Sequence, residues 1–279
     1  FRYFYTLTKI LRNNNCFIYD NDNYYERINR LIFRNPKIKF KEEIMTFSIL
    51  GRDPENGNLG IAIATYSLAV GATCPQILPG IAVVTSQAAT NPAIGKNLLT
   101  RLKQGEETDN AFDGAIQSDS YSDFRQVALL ANLGKPKVHT GRKTKPFAGS
   151  ISSKNSIAVG NFLTNENVLE TMVETFEKFD KNSSLADRMI ASLKSGKETG
   201  GQTGSDGSLL PERSACVMVA VPGEAFPIDV RIDFSFDAIL DLSVAYNAYL
   251  PMHRYYLDRA KNPVNLPAQD TWIKRLGSF

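Results

Sequence analysis

The side chains able to do chemistry in this sequence are few, and most are spaced against it. Only two histidines, His139 and His253, occur in 279 residues, too few for a His-rich metal site. Cys16, Cys74 and Cys216 stand far apart. They form neither a disulfide framework nor a metal-ligand spacing, and read as buried free thiols. The run GKETGGQTGSDGS carries glycines at 200, 201, 204 and 207, yet has neither P-loop nor dinucleotide spacing, and reads as a mobile loop. Hydroxyl chemistry remains. Met45 is followed at once by Thr46, which opens an alternating strand, as though the chain started over in its own interior. A methionine start is removed before a small residue, and Thr46 would then carry a free α-amine with a pKa of about 7.7–8.0. Such an amine can accept the hydroxyl proton at neutral pH, whereas a lysine amine, roughly two units higher, stays protonated. An internal threonine has no such base, and a threonine opening a strand is also ordinary β-propensity.

The composition changes at the same place. Residues 1–44 contain no Gly, Ala, Val or Ser and hold 9 Lys/Arg against 5 Asp/Glu, a net +4. The remainder holds 23 against 24, a net −1. The basic excess therefore belongs to the first segment, and the rest has no stripe that would track a phosphate backbone; no nucleic-acid partner is expected. No apolar run reaches the roughly 18–20 residues of a membrane helix, so no membrane partner is expected either. The first segment lacks the continuous apolar stretch of a secretory signal. Three divisions are expected: residues 1–44 as an extraneous or poorly ordered extension, 45–262 as the working domain, and 263–279 as a C-terminal tail lying on its surface. Translation from Met45 would place the protein in the cytoplasm.

The elements follow from pattern. TFSILGRD and GIAIATYSLAV flank PENGN as a hairpin, and GIAVVTSQAA is a third strand. PAIGKNLLTRLKQG has Ile94, Leu98, Leu99 and Leu102 at helical spacing, and ETDNAFDGAIQS is a second helix. DFRQVALLAN, PKVHTG and SIAVGNFL are strands. NENVLETMVETFEKF, with Val168, Met172, Phe176 and Phe179 on one face, and SLADRMIASLKSG are helices. RSACVMVAV and FPIDVRIDF are strands, and residues 237–261 form a long final helix. Strands in hairpins and helices in pairs predict an α+β fold: a four-layer αββα sandwich of two mainly antiparallel sheets flanked by helix pairs.

TFSILGRDPENGNLGIAIA, then LAVGA, SQAATNP, RQVAL, HTG, GNFL, GG before RSA, and DVRID resemble the bacterial domain-of-unknown-function family 1028, from Met45 to about Pro263. That family is classed as similar to the N-terminal nucleophile hydrolases. The resemblance implies Thr46 as the nucleophile on an amide carbonyl, with its own α-amine as base. It implies oxyanion and substrate donors around Ser86, Gln87 and Asn91, with His139 at a strand end. It also brings the loop with Thr203, Ser205 and Asp206 beside the amine. The lysine that proteasome-like members carry at the start of the third strand is missing from TCPQILPGIAVV. Asn91 before Pro92 also reads as a helix cap, His139 as a turn residue, His253 as solvated surface, and Asp229 with Arg231 as a structural ion pair. The implied activity is an amidohydrolase for a small amide or peptide-like substrate, with no cofactor and no metal. A non-catalytic binding or assembly protein on the same fold is the alternative. Tyrosines along the final helix leave room for a homo-oligomer.

Overall fold

Strand β1 (Thr46–Asp53) and strand β2 (Asn58–Thr65) form the expected hairpin, paired antiparallel from Thr46 opposite Thr65 to Asp53 opposite Asn58. Successive strand residues face opposite sides, and β1 uses both. Phe47 and Ile49 enter a core shared with helices, while Leu50 enters a second core shared with another sheet. The computed structural model describes residues 45–180 and 182–277. The extension expected at 1–44, and Cys16 with it, lie outside the described residues.

Beyond the hairpin come a short helix α1 (Val70–Thr73), β3 (Pro75–Leu78), β4 (Ala82–Ala88), α2 (Pro92–Lys103) and α3 (Thr108–Gln117). Strands β5 (Arg125–Ala131), β6 (Lys137–Thr140), β7 (Gly149–Ser152) and β8 (Ser156–Asn161) follow, then helices α4 (Asn167–Lys178) and α5 (Leu185–Glu198). A tight two-stranded unit, β9 (Gln202–Thr203) with β10 (Leu209–Leu210), precedes β11 (Ser214–Ala220), β12 (Ile228–Ile232), α6 (Ala238–Lys261) and α7 (Gln269–Leu276). One antiparallel sheet has six strands in the order β12-β11-β2-β1-β8-β7; another has four in the order β3-β4-β5-β6. The fold is α+β.

Four apolar clusters hold these elements, the smallest seating α1 on β2 and β11 through Ile63, Val70, Cys74 and Cys216, and the other three form layers. One joins the six-stranded sheet to α4, α5 and α6 through Phe47, Ile49, Phe176, Met189, Leu193 and Leu242. Another joins β4 and β5 to α2 and α3 through Val84, Leu98, Phe112 and Leu129. The third lies between the sheets, with Leu50, Leu59, Ile61, Ile157 and Val159 against Val83, Ala128 and Leu130. Helices α4 and α5 come close to the sheet because Gly51 and Gly60 sit opposite each other on its helix-facing side. A Cβ on Gly51 would stand 2.7 Å from the Phe176 ring, and one on Gly60 would stand 2.6 Å from the Met189 methyl.

The differences from the sequence reading are local. Strands β3 and β7 were missed: each is four residues long and starts with or beside Pro or Gly, which erases alternation over so short a run. The tail is not a bare strap: it carries α7, tied down by the Tyr255 hydroxyl donating to Pro267 O at 3.0 Å and by Trp272 against Tyr255. His253 is buried, not solvated: it packs edge-on to Phe226 and shares hydrogen bonds with Tyr249 and Glu224. The glycine-rich run closes as the β9–β10 unit. The free thiols read for Cys74 and Cys216 are both present and buried, and desolvation raises both thiol pKa values. Asp229 and Arg231 pair at 2.6 Å. No helix among the described residues is long and apolar enough to cross a membrane.

Arg52 bolts the far end of the hairpin to both sheets. Its guanidinium is buried and donates to Ala131 O at 2.8 Å, Gly134 O at 3.0 Å and Lys154 O at 2.5 Å, with Asn155 Oδ1 at 3.3 Å. Among the described residues no carboxylate pairs with it, and carbonyl dipoles compensate the charge. Replacing Arg52 with Leu strips these acceptors of their donor and is expected to lower stability by about 2–4 kcal/mol. Urea unfolding measures this; an unchanged midpoint would refute the clamp.

Candidate functional site

Thr46 begins a row of polar residues that crosses the six-stranded sheet. Register sets Asn161 of β8, Thr46 of β1, Thr65 of β2 and Ser214 of β11 side by side. Antiparallel partners share a face, and this face is the one that Leu50, Ile61 and Val159 present to the other sheet. The four-stranded sheet answers with its own row, Gln87 opposite Gln126 and Gln126 opposite Thr140. Between the sheets, therefore, apolar packing gives way to polar side chains at one end. All of Thr46, Ser48, Thr65, Gln87, Gln126 and Asn161 are buried.

Buried polar groups need partners, and these find them in one another. Gln126 Nε2 donates to Gly160 O at 2.9 Å, to Gly149 O at 3.3 Å and to Thr140 Oγ1 at 3.1 Å. Carbonyls only accept, so the orientation of this amide is settled and its Oε1 must face the other way. That oxygen accepts from Gln87 Nε2 and from Asn161 Nδ2, both at 3.0 Å. Gln87 Nε2 also reaches Val159 O at 3.4 Å and Thr46 O at 3.5 Å. Gln87 Oε1 accepts from Ser48 Oγ at 2.7 Å and from Thr85 Oγ1 at 3.3 Å. The chain of assignments leaves one atom over: Asn161 Oδ1 is buried with no hydrogen-bond partner.

Thr46 itself is 1% exposed. Its hydroxyl donates to Thr65 Oγ1 at 3.2 Å, and the Thr65 hydroxyl donates in turn to Met45 O. Two strand ends beside this row turn through left-handed backbone at residues with a Cβ: Ala88 at φ 62° directly after Gln87, and Phe162 at φ 54° directly after Asn161. That region costs an L-residue about 1–2 kcal/mol, so packing at this end of the sheets holds the chain against its local preference.

The sequence candidates separate cleanly by face. Gln87 stands beside Thr46. Ser86 points the opposite way, in a row with Val127 and His139 on the face that packs under α2 and α3. Its hydroxyl accepts from Asn91 N at 3.3 Å, Asn91 caps α2 by accepting from Ala93 N at 3.1 Å, and His139 Nε2 bonds Ser122 O at 2.9 Å. None of these three reaches Thr46. The 202–210 unit does border the row: Gln202 Oε1 accepts from Tyr66 N at 3.2 Å, and Thr203 N donates to Phe162 O at 2.8 Å. Asp206 lies exposed at its tip, where bonds from the Ser208 hydroxyl and amide hold its carboxyl below the usual range. Ser205 is exposed on the same tip. The residues that sequence reasoning missed are Thr65, Gln126 and Asn161. Their signal was a polar residue on the inward parity at one end of strand after strand. No group of three or more His, Cys, Asp or Glu placed to hold a metal occurs among the described residues.

Against this geometry stand the comparisons with known proteins. Residues 46–242 match the family model described as "Family of unknown function (DUF1028)". The chain belongs to this family. The match opens on Thr46, the residue that begins the polar row. A crystal structure of a DUF1028 protein from Silicibacter pomeroyi is similar to this chain at 30% sequence identity and a TM-score of 0.66, covering 74% of this chain and 89% of its own. No curated protein matches.

One charged group near the row is poorly placed. The Glu212 carboxylate is buried, its Oε2 has no hydrogen-bond partner, and the Lys197 ammonium lies 3.8 Å away while bonding Asp237 at 2.7 Å. Burial raises its pKa, outweighing Lys197. The folded protein then holds this proton more tightly than the unfolded chain, so stability falls as pH rises from the unfolded value of about 4.3 through the raised folded one. Glu212→Gln is expected to raise the urea midpoint at pH 7 and to lose that gain near pH 4. A gain that persisted undiminished at pH 4 would show that the charge is not its source.

Proposed function

We propose that this chain is an amidohydrolase of the N-terminal nucleophile type, acting on a small amide or peptide-like substrate in a form whose first residue is Thr46. The observation that carries the reading is the position of Thr46: first residue of a central strand, with its hydroxyl turned into the polar space between two sheets. The three successive cores support the finer fold assignment, a four-layer αββα sandwich. The family match beginning at Thr46 is in keeping with a working protein that starts there.

The chemistry closes on one residue. The Thr46 α-amine takes the hydroxyl proton as Oγ1 attacks the substrate carbonyl carbon. The carbon–nitrogen bond of the substrate breaks, and the leaving amine departs with that proton. Water then hydrolyses the ester on Thr46, releasing a carboxylic acid and restoring the hydroxyl. In a chain that continues through Met45 the same nitrogen is an amide with no basic lone pair, and step one has no base. Gln87 Nε2 already serves three acceptors, so its contribution is to fix the strand end; donors for the oxyanion come from backbone N–H groups around the site.

A second reading draws on a specific observation. The Thr46 hydroxyl is buried and engaged by Thr65, as befits a binding or assembly protein that keeps the fold without the reaction.

The two readings diverge on labelling. Protein beginning at Thr46 is expected to form a covalent adduct on that residue with a broad amide-directed electrophile. Thr46→Ala, and the chain continuing through Met45, are expected to form none. Intact mass and peptide mapping read the result. Absence of adduct from a folded Thr46-first form would leave the binding reading alone.

A further inference from the structure

Freeing the Thr46 nitrogen changes its hydrogen-bonding demand. A peptide nitrogen offers one donor; an α-amine offers two, and three once protonated. The direction in which that nitrogen points follows from strand register. Arg52 N donates to Asn155 O at 2.9 Å, continuing the β1–β8 register in which Gly51 faces Ser156 and Thr46 faces Asn161. Hydrogen-bonded pairs recur at every second residue of an antiparallel ladder. Counting back through 50 and 48 makes Thr46 and Asn161 such a pair, so the Thr46 nitrogen faces β8 and not β2. One donor stays in the ladder with the Asn161 backbone. The added donors need acceptors on the inward face, where the Asn161 and Thr46 side chains lie side by side.

We infer that Asn161 is the positioning residue for the Thr46 α-amine, its side-chain Oδ1 accepting a donor that the nitrogen gains when the Met45–Thr46 peptide bond is gone. This rests on the reading of Thr46 as an N-terminal nucleophile. The unpartnered state of Oδ1 is what motivates it: the side-chain amides of Gln87 and Gln126 are fully engaged, the other bare group bordering the row, Gln202 Nε2, is a donor, and the Asn161 amide cannot turn over because its Nδ2 is held by Gln126 Oε1. A buried carbonyl oxygen left bare is costly, and here it is kept bare beside a nitrogen that gains donors on processing. Accepting one N–H fixes the rotation of the amine, which directs its lone pair at the hydroxyl of the same residue. Around the row the neighbours are uncharged: Thr65 on β2, Gln87 on β4, Gln126 on β5 and Ser214 on β11. Arg213 lies over the Tyr66 and Phe234 rings, and Glu212 faces Gly201 and Lys197; neither hydrogen-bonds to Thr46 or Asn161.

The test uses the chain beginning at Thr46, which gives up the buried Met45 side chain but retains all the residues of the apolar clusters and both inter-sheet clamps. The α-amine pKa is read from the pH dependence of its reaction with fluorodinitrobenzene, followed by peptide mass. An acceptor favours the protonated amine, so Asn161→Leu is expected to lower the pKa by about one unit. Asn161→Asp, nearly isosteric, is expected to raise it, and carries the test if the leucine variant does not fold. An unchanged pKa in Asn161→Leu, or an unchanged or lowered one in Asn161→Asp, overturns the inference. So does a fall confined to Thr65→Val, which would give the amine to the Thr65 hydroxyl. If these shifts appear but Thr46 takes no adduct from the amide-directed electrophile, the assignment of Asn161 stands and the hydrolase reading falls.

Discussion

Two sheets packed through apolar side chains can slide, because hydrophobic contact has no direction. Here the amide of Gln126 removes that freedom. Its nitrogen reaches across from the four-stranded sheet to backbone carbonyls of β7 and β8, and its oxygen collects the amides of Gln87 and Asn161. At the opposite end Arg52 reaches from β1 to carbonyls at and just beyond the end of β5 and between β7 and β8. Leu50, Ile61, Val83 and Leu130 fill the space between. The stack has a greasy centre and a directional clamp at each end, and the relative placement of every inward-facing group depends on those clamps.

Thr46 inherits its position from this arrangement. Its strand is central in the six-stranded sheet, flanked by β2 and β8, so neither its backbone nor its side chain can drift with an edge. The outward residues of the same strand, Phe47 and Ile49, are locked under α4 and α5. A one-residue slip would exchange the two faces and send hydroxyls into the helix-facing core. The hydroxyl is therefore held by both faces of one strand, and the Gly51–Gly60 pair lets the helices press close enough to enforce it.

Much of this was legible in the sequence, and the limits have physical reasons. The hairpin, its PENGN turn, the long strands, and the five longest helices declare themselves through alternation or 3.6-residue spacing. The short strands β3 and β7 hold too few residues for a period to emerge. The sites on β4 were half readable: Ser86 and Gln87 are adjacent, and adjacency in a strand guarantees opposite faces, so only one could meet Thr46. Parity alone singles out Gln87, since Val83 and Thr85 share its face. His253 misled because a histidine on an amphipathic helix looks solvated until Phe226 and Glu224, far off in sequence, are folded onto it. Asn161 could not be found from its own neighbourhood. Its significance lies in which of its two amide ends is occupied, and that depends on Gln126, set in turn by carbonyls on β7 and β8.

The Thr65 hydroxyl shows what the junction at Met45 does to this end of the sheets. It accepts from Thr46 Oγ1 and donates to Met45 O, so it relays one hydroxyl onto the carbonyl of the preceding peptide bond. While that carbonyl is present, both threonine hydroxyls are committed and the site is closed on itself. Remove it, and the Thr65 proton loses its acceptor at the same moment that the Thr46 nitrogen gains donors. The pair is left with a surplus of donors in a space where Asn161 Oδ1 is the idle acceptor. On the proposal that Thr46 comes first, the Asn161 oxygen that stays bare while Met45 is attached is the acceptor the freed nitrogen would take up.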